Sequence, residues 1–519
     1  MRVRPVHSVL ALVTGALVVL AGCTAGSSTN PTSTAGGSAT GSAGGSPISG
    51  SNAAPSDATL SVGFVLAPKT LDMSVDDGAA IPQALLYNVY EGLVRLDDSG
   101  KIVPLLAEKY EVSSDNKTYT FTLRKDVKFS DGAPFTAADA VFSIERVKKD
   151  WKPAVKAGMD VVSKAEAVDD STLKVTLSKP SQSWLYAMAT RIGAMYSRTG
   201  VSALAAKPIG TGPFTVQSYQ TNVQLILQRN DAYWGDAPAL KTVNLKYYAD
   251  ANALNNALLG GQINVISTVQ APETLSQFAD AGKYQTIEGT TTGEVLLSFN
   301  NGKAPLSDKT VRQAITYAID RKAIMDTVWA GKGQLIGTHS VPTDPWYEDL
   351  YSKYPYDPAK AKELLGGKTY TLRLRVPNVP YATATAPIIA SQLKQVGITV
   401  TVDTLDFPSW LEQVFKNADY DMSIVAHVEP RDIANIWGNA KYYTRYDNPE
   451  VQKLFTDGDA GTEEEFNADY KKAAELLADD AAGDWLWVLP NLIVANTNVK
   501  GILQNQVSES FDFTKISVG

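Results

Sequence analysis

Residues 86–147, LYNVYEGLVRLDDSGKIVPLLAEKYEVSSDNKTYTFTLRKDVKFSDGAPFTAADAVFSIERV, contain the clearest strand and helix signals of the chain. Apolar residues alternate over 119–123, with the period of a strand that has one buried face. Thr136 then occupies an N-cap position and Asp139 follows three residues later, which is a capping box ahead of an apolar run. This order predicts a strand, a turn and a helix, and so a body that mixes the two kinds of element.

Further elements follow the same rules along the rest of the chain. TLKVTL at 172–177 alternates like a strand, and a run of apolar residues at helical spacing begins at Val311. We interpret that run as a core-facing stripe, because a cofactor site would need polar groups as well. Asp357, followed by Pro358 and later by Gly366, predicts the start and the end of a helix. The fold class is therefore α/β, or mixed α+β.

Composition limits the class of protein. The 519 residues are 44% hydrophobic and 20% charged, which is ordinary for a globular protein, and the formal net charge is -8. This charge disfavours nucleic acid as a partner, since neutralising phosphates requires a clustered basic surface. The only cysteine is Cys23, so thiol redox chemistry and cysteine metal sites are not expected in the body.

The N-terminus has the layout of a signal peptide. Arg2 and Arg4 precede an uncharged, mostly apolar run that ends in small residues before Cys23. The 14 residues of 9–22 are too few for a membrane span, which needs about 20. Leu-Ala-Gly-Cys at 20–23 resembles the lipobox of bacterial lipoproteins, in which the cysteine carries the lipid. We therefore expect a signal peptide at 1–22 and a lipid anchor, with palmitate among its acyl chains, on Cys23.

A low-complexity segment separates this anchor from the body. Residues 24–56 contain no charged and no aromatic side chain, and they consist mainly of Gly, Ser, Thr and Ala. Such a segment cannot bury enough apolar surface to offset its conformational entropy. We expect 23–56 to be the lipidated cysteine and a disordered linker with a reach of roughly 30 Å. The protein would then lie at the extracytoplasmic face of the cell membrane.

Enzyme motifs are present only as isolated fragments. GGKT at 366–369 lacks the first glycine of a phosphate-binding loop and follows a predicted helix. STLK at 171–174 copies one penicillin-binding motif, without its partners in the required order. His339 and His427 each stand alone in the sequence, so no local zinc motif is formed. We expect no enzyme, no cofactor and no metal site.

The stretch 86–147 resembles the segment that identifies extracytoplasmic solute-binding proteins of the oligopeptide and dipeptide family, bacterial family 5. Four further stretches agree with that family, in the same order: PIGTGPFTV at 208, NDAYWG at 230, SFNNGKAPLSDKTVRQAITYAIDRKAI at 298 and YDPAKAKELL at 356. The resemblance implies a two-lobed periplasmic-binding-protein clamp, type II and cluster C, with an extra subdomain in the larger lobe. It also implies a monomer that binds short peptides and presents them to the permease subunits of an ABC importer.

Carried onto this chain, the resemblance implies domain boundaries. The large lobe would comprise 57–294 and 490–519, with the extra subdomain at about 94–196. The second lobe would be 295–489. The two chain crossings, near GEVLLSFN and WLWVLPNLI, would form the hinge on which the lobes close.

The resemblance also implies candidate ligand-binding residues. A loop after Leu71 and Asp72 reaches the cleft in the family, and the corresponding residues here follow it. In the second lobe, the stretch YDMSIVAHVEPRDIANIWGN departs from the family pattern, since Pro430 stands where the acid for a peptide ammonium is expected and Ile424 replaces an arginine. The candidates are Asp77, Gly78, Ala79, Trp410, His427, Glu429, Arg431 and Asp432. For several of them a structural role is an equal alternative: a buried imidazole for His427, packing for Trp410, a solvated loop for the charged residues, and helix capping for Asp432.

Three functions remain open at this level. The first is a membrane-anchored receptor for short peptides. The second keeps the clamp but changes the cargo to a nickel chelate, glutathione, haem or an oligosaccharide, as the altered loop would allow. The third is a cell-envelope hydrolase, which we disfavour because no nucleophile has its partners.

Overall fold

The computed structural model describes residues 53–76 and 78–519. The strands of this part, β1 to β18, are Thr59–Phe64, Val94–Leu96, Ile102–Pro104, Ala107–Val112, Thr118–Leu123, Val162–Asp169, Thr172–Leu177, Phe214–Gln220, Gln224–Arg229, Thr242–Tyr247, Val265–Ile266, Tyr284–Phe299, Tyr370–Pro377, Ile398–Leu405, Met422–His427, Gly483–Asn496, Val499–Lys500 and Ser517–Val518. The α-helices, α1 to α12, are Ala80–Leu85, Ala137–Asp150, Gln182–Ala187, Ala251–Leu259, Lys309–Ala318, Arg321–Val328, Pro358–Leu365, Pro380–Gln395, Phe407–Trp410, Ile433–Trp437, Pro449–Ala460 and Glu463–Asp479. The mixed α/β class predicted from the sequence is confirmed.

A ten-stranded mixed sheet runs through the molecule in the order β14-β13-β15-β12-β16-β11-β1-β10-β9-β8. Its central strands, β12 and β16, are antiparallel and connect the two halves of the sheet. Tyr284 to Thr290 pair with Asn496 to Pro490, and the register then shifts before Glu294 pairs with Val488. Glu294 also lies opposite His427 of β15. The two crossing strands therefore change their pairing where the sequence predicts a hinge.

Separate hydrophobic cores lie on the two sides of this crossing. The first core joins β1, β5, β7, β10 and α2, while the second joins β13, β15, α5 and α8. A third core packs α10, α11 and α12 against the end of β16. Strand β16 contributes Ile493 to the first core and Trp487 to the second. A two-lobed body in which each lobe has its own core follows from this division.

The predicted local elements lie where their signals place them. Strand β5 buries alternate residues and pairs with β4 and β7 in a separate four-stranded sheet, β4-β5-β7-β6. Helix α2 begins after Thr136, whose backbone N–H donates to Asp139 Oδ2 at 3.0 Å, so the capping box is confirmed. Helix α7 starts with Asp357 accepting from the Lys360 N–H and ends at Gly366 with φ 57°. The stripe that begins at Val311 on α5 is buried in the second core.

Helices α3 and α11 are joined by hydrogen bonds among five residues that we call the latch: Ser181, Gln182, Ser183, Asp459 and Gly461. Asp459 Oδ1 accepts from the Ser183 N–H at 2.9 Å, and its carboxylate also accepts from the hydroxyl groups of Ser181 and Ser183. The Gln182 amide donates to the Gly461 carbonyl at 2.7 Å. Asp459 thus supplies the N-terminal cap that Ser181 itself does not make for α3.

Within residues 53–76 and 78–519, none of the helices has the length and apolar character needed to cross a membrane. The predicted signal peptide, Cys23 and nearly all of the linker lie outside the described residues.

Candidate functional site

The candidate site forms where β12 and β15 end beside each other. Strand β15 closes at His427, and a short turn leads through Glu429 and Arg431 to Asp432, which precedes α10. Arg431 has φ 58°, a left-handed conformation that is uncommon for a residue with a long side chain. This turn folds the chain back, so that Asp432 faces the same space as Glu294 from the neighbouring strand.

Four acidic residues share this space, and we call them the carboxylate cluster: Glu294, Asp344, Glu429 and Asp432. Burial raises the pKa of Glu294 well above its usual range, and the charges of Asp432 and Asp344 add to that rise. Burial also raises the pKa of Asp344 to about 7 and that of Asp432 to about 6, although His427 opposes the latter shift. Burial raises the pKa of Glu429 as well, but a third of its side chain is exposed and water moderates the effect.

His339 connects this cluster to the third hydrophobic core. Its Nε2 lies 2.8 Å from Asp432 Oδ1 and 3.5 Å from Glu294 Oε2. On the other side of the ring, Trp485 Nε1–H donates to His339 Nδ1 at 3.1 Å. Burial lowers the pKa of His339 to about 3, so the ring is neutral at pH 7. The side chain of Asp432 makes no capping hydrogen bond to α10, although the residue stands at the N-cap position.

His427 forms the other wall of the cluster. Its Nδ1 lies 3.7 Å from Asp432 Oδ2, and its Nε2 lies 2.9 Å from the Tyr443 hydroxyl. Burial lowers the pKa of His427 to about 4. The rings of His339 and His427 lie 5.5 Å apart in an edge-to-face arrangement. The two histidines, which stand alone in the sequence, are therefore close together in the structure, because the fold brings together residues that are far apart in the chain.

Two arginines face the cluster from opposite sides. The guanidinium of Arg431 lies 4.0 Å from the ring centre of Tyr186, and its Nε is 4.0 Å from Asp344 Oδ1. Arg191 Nη2 lies 3.8 Å from Glu429 Oε1, while the Arg191 backbone N–H donates to Glu509 at 2.7 Å. Tyr186 belongs to α3 and Arg191 follows that helix, so these contacts join the α3 region to the turn between β15 and α10.

The structure brings together only some of the predicted ligand-binding residues. His427, Glu429, Arg431 and Asp432 lie in or beside the cluster. Trp410 instead packs in a hydrophobic group with Val414, Tyr420, Val425 and Tyr443, and its indole N–H donates to Ser423 at 3.0 Å. Its described contacts correspond to the packing alternative.

In the loop before α1, the described candidates are Gly78 and Ala79, and their contacts are local. The Gly78 N–H donates to Asp76 Oδ1 at 2.6 Å, and Ala79 is the residue that precedes α1. Asp77 lies outside the described residues. The proximity of this loop to the cluster stays a prediction.

Sequence reasoning missed the residues that complete the site: Glu294, His339, Asp344, Arg191 and Trp485. One signal was available for Glu294, since it is an acid at the start of the buried apolar run VLLSF. The others carry no local signal, because their partners lie on distant parts of the chain.

Glu294, His339 and Asp432 are also the one group of described residues with the spacing of a metal site, since one ligand atom from each lies within 4.8 Å of the others. A cavity lies apart from the carboxylate cluster, between the β2–β3 hairpin and the C-terminal segment, and Arg95 and Asp512 are among the residues that line it. Those two residues pair with each other at 2.7 Å.

The sequence over residues 101–432 matches the family model of bacterial extracellular solute-binding proteins, family 5. The chain belongs to this family. Family 5 proteins bind peptides or related ligands for ABC importers, and this solute-binding protein does the same outside the cytoplasm. The resemblance stated from the sequence motifs is therefore confirmed, and with it the two-lobed fold.

Similar proteins support the assignment over almost the whole body. The solute-binding protein is 29% identical over 488 residues to a probable D,D-dipeptide-binding periplasmic protein of Escherichia coli, covering 87% of this chain and 92% of the relative. It superimposes with a TM-score of 0.81 on a Helicobacter pylori periplasmic binding protein in complex with the peptide STSA, at 23% identity over 89% of this chain and 98% of that one. A binding protein from Agrobacterium in complex with agropinic acid matches with a TM-score of 0.79 and 27% identity, covering 89% and 99%.

Other similar proteins carry different cargo in their names. A haem-binding protein of Haemophilus influenzae, a nickel-binding protein of E. coli and a glutathione-binding protein of Salmonella are 27%, 30% and 30% identical to this solute-binding protein. The family therefore fixes the architecture of the site and leaves the cargo to be argued from its own residues.

Proposed function

We propose that this solute-binding protein is a lipid-anchored receptor that captures short peptides and delivers them to the permease of an ABC importer. The observation that supports this cargo is the carboxylate cluster. Its four acids face two guanidinium groups, that of Arg431 and that of Arg191, and Arg191 also pairs with Glu509. A ligand cation would offset the cost of burying that negative charge. A peptide with a free amino terminus supplies such a cation.

Asp432 is the acid that we assign to the peptide ammonium. It is buried, its carboxylate is oriented by His339 at 2.8 Å, and it makes no capping bond to α10 that would account for its position. Glu429 and Asp77 are the alternatives for this role. Asp432 is preferred to Glu429 because Glu429 already pairs with Arg191 and is partly exposed.

The first test is ligand binding without turnover. The full-length protein in detergent is titrated with libraries of dipeptides to pentapeptides, and thermal unfolding and peptide consumption are followed together. Saturation at 100 times the dissociation constant should stabilise the protein by about 2.7 kcal/mol with no product formed. Absence of a shift at millimolar peptide would favour a non-peptide cargo, and accumulation of product would indicate the hydrolase.

The second test concerns Asp432. Asp432→Asn should weaken peptide binding at least tenfold, because removing one member of a buried charge pair costs about 2 to 5 kcal/mol of binding. The melting temperature of the unliganded variant should change little. An unchanged dissociation constant would transfer the role to Glu429 or Asp77.

The lipid anchor is tested separately. Cys23→Ala should abolish lipid labelling and move the protein from the membrane fraction to the soluble fraction, since stable anchoring requires two or more acyl chains. A variant that remains with the membranes would contradict the lipobox interpretation.

The lobe boundaries belong to the same proposal. We place them at 294 and 490, with the extra subdomain at about 94–196. The register shift between β12 and β16 supports the first boundary, and the four-stranded sheet β4-β5-β7-β6 supports the subdomain.

A second candidate is the same clamp with a non-peptide cargo. It is favoured by the departures at Pro430 and Ile424, the latter fully buried in the second core, and by the varied cargo of the similar proteins. A mass spectrum of ligand retained during purification distinguishes it from the first.

A further inference from the structure

Glu294 is a buried acid, and one of its carboxylate oxygens, Oε2, has no hydrogen-bond donor among the described residues. Its side chain is 5% exposed, and Oε2 makes no hydrogen bond to any described residue. The nearest polar atom recorded for it is His339 Nε2 at 3.5 Å. Burying a carboxylate oxygen in this way is unfavourable unless a donor reaches it, so the position calls for a donor that the described chain does not supply.

The tautomer of His339 decides what kind of group can meet this oxygen. An indole N–H is a donor only, so Trp485 requires an unprotonated acceptor at His339 Nδ1. The single proton of the neutral ring must then be on Nε2, where it points to Asp432 Oδ1 at 2.8 Å. His339 is thus an N–H donor on the side that faces both acids.

This tautomer excludes His339 as a metal ligand in the trio with Glu294 and Asp432. A metal ion needs the lone pair of Nε2, which would force the proton onto Nδ1 and oppose it to the Trp485 N–H. The remaining two carboxylates have the correct charge for a cation but lack the third ligand. The three residues have the spacing of a metal site, but in this tautomer His339 Nε2 has no lone pair for a metal ion.

We infer that Glu294 is a second acceptor for the cargo's cation beside Asp432, and that this cation is a primary ammonium group with several N–H donors. This inference rests on the proposed function and narrows its ligand class. A primary ammonium has three N–H donors, so it can serve Asp432 and Glu294 Oε2 together. A quaternary ammonium has no N–H group and cannot donate to either oxygen.

The test compares two probes on the full-length protein in detergent. One is a random tripeptide library with free amino termini, and the other is the same library after N-trimethylation, which keeps the charge but removes the donors. Titration calorimetry of the wild-type protein should give at least a hundredfold preference for the free library. Glu294→Gln should lower affinity for the free library at least tenfold and reduce the preference below tenfold.

Asp484→Asn is the matched control, because Asp484 is also a fully buried acid whose oxygens accept no hydrogen bond from a described residue, but its charge faces Arg321 at 3.6 Å. Its affinity and preference should stay within threefold of the wild type. If Glu294→Gln lowers affinity for both libraries equally, Glu294 maintains the structure of the site without contacting the cargo, and the inference fails. Tight binding of the free library with no change in Glu294→Gln overturns the inference and leaves the peptide receptor intact.

Metal salts provide an independent arm. Nickel and zinc chlorides should show no saturable binding to the wild-type protein, whereas Trp485→Phe should gain binding, since the ring proton can then move to Nδ1. Saturable metal binding by the wild type that His339→Gln abolishes would overturn the inference. If no peptide binds but a simple primary amine such as putrescine does, with loss in Glu294→Gln, the peptide cargo fails and the role of Glu294 stands.

Discussion

Two buried glutamates of this protein differ in what surrounds them. Glu91 accepts hydrogen bonds from Thr211, Tyr233 and Trp234, at 2.8, 2.7 and 2.9 Å. Glu294 is buried to a similar degree, but its Oε2 accepts none. Burial raises the pKa of both acids. The comparison teaches that burial alone does not indicate a binding role. What distinguishes Glu294 is an acceptor without a donor that lies among the other acids of the carboxylate cluster.

The largest effect, on the free energy of unfolding, should come from removing Glu91, the glutamate that accepts three hydrogen bonds. Glu91→Ala removes the acceptor of three donors: the hydroxyl of the buried Thr211, and the hydroxyl of Tyr233 and the N–H of Trp234, which belong to partly buried residues. Each buried donor without a partner costs about 1 to 3 kcal/mol, so we expect the free energy of unfolding to fall by about 3 kcal/mol or more. Denaturant unfolding measures it.

Peptide affinity of the folded Glu91→Ala fraction should stay within threefold of the wild type. A stable variant would show that water replaces the glutamate, and the two environments would then be less different than their hydrogen bonds suggest.

A smaller effect is expected from pH on the cluster itself. Asp432 must be ionised to pair with an ammonium group, and its pKa is raised to about 6. Affinity should therefore fall up to tenfold per pH unit below pH 6, about 1.4 kcal/mol per unit, and it should fall again above about pH 8, where the amino group of the peptide loses its proton. Titration calorimetry from pH 5 to 8 checks this, with proton release on binding as a second readout. Affinity that rises on acidification would contradict the pairing.

The smallest effect should be that of Glu294→Gln on the unliganded protein. The pKa of Glu294 in the folded state is raised above its value in the unfolded state. The folded state therefore holds the proton more tightly, and the stability that this contributes is lost as the pH rises from about 4.5 toward the raised pKa. Glutamine has no such loss. At pH 7 we expect the variant to be equal to the wild type or more stable by about 1 kcal/mol or less.

Unfolding curves at pH 5, 7 and 8.5 test the sign, since the difference should move in favour of Glu294→Gln as the pH rises. A variant that is destabilised by several kcal/mol at every pH would place Glu294 with Glu91 among the structural acids.

The sequence predicted the local elements better than the site, for a physical reason. Strand β5 and the caps of α2 and α7 depend on residues within a few positions of one another, so alternation and capping signals identify them. The pairing of Glu294 with His427 depends on two strands that are remote in the chain, and the contact between His339 and Trp485 depends on a core formed by several helices. Neither contact has a spacing that could be recognised.

The loop that contains Asp432 is an intermediate case. Family resemblance located the stretch from His427 to Asp432, while coordinates were needed to show whether the Asp432 side chain caps α10. Asp432 bonds to His339 and leaves α10 uncapped, which no sequence pattern shows.

The latch gives helix α3 a property that can be observed without any ligand. Its N-terminal cap, Asp459, belongs to the part of the chain assigned to the opposite lobe, so the helix is complete only while the lobes are together. When they separate, the Ser183 amide near the start of this six-residue helix loses its acceptor and the helix loses part of its stability. Hydrogen exchange of the Ser183 amide would then report the fraction of time that the clamp spends open, and cargo would register as slower exchange at an amide that is not part of the carboxylate cluster.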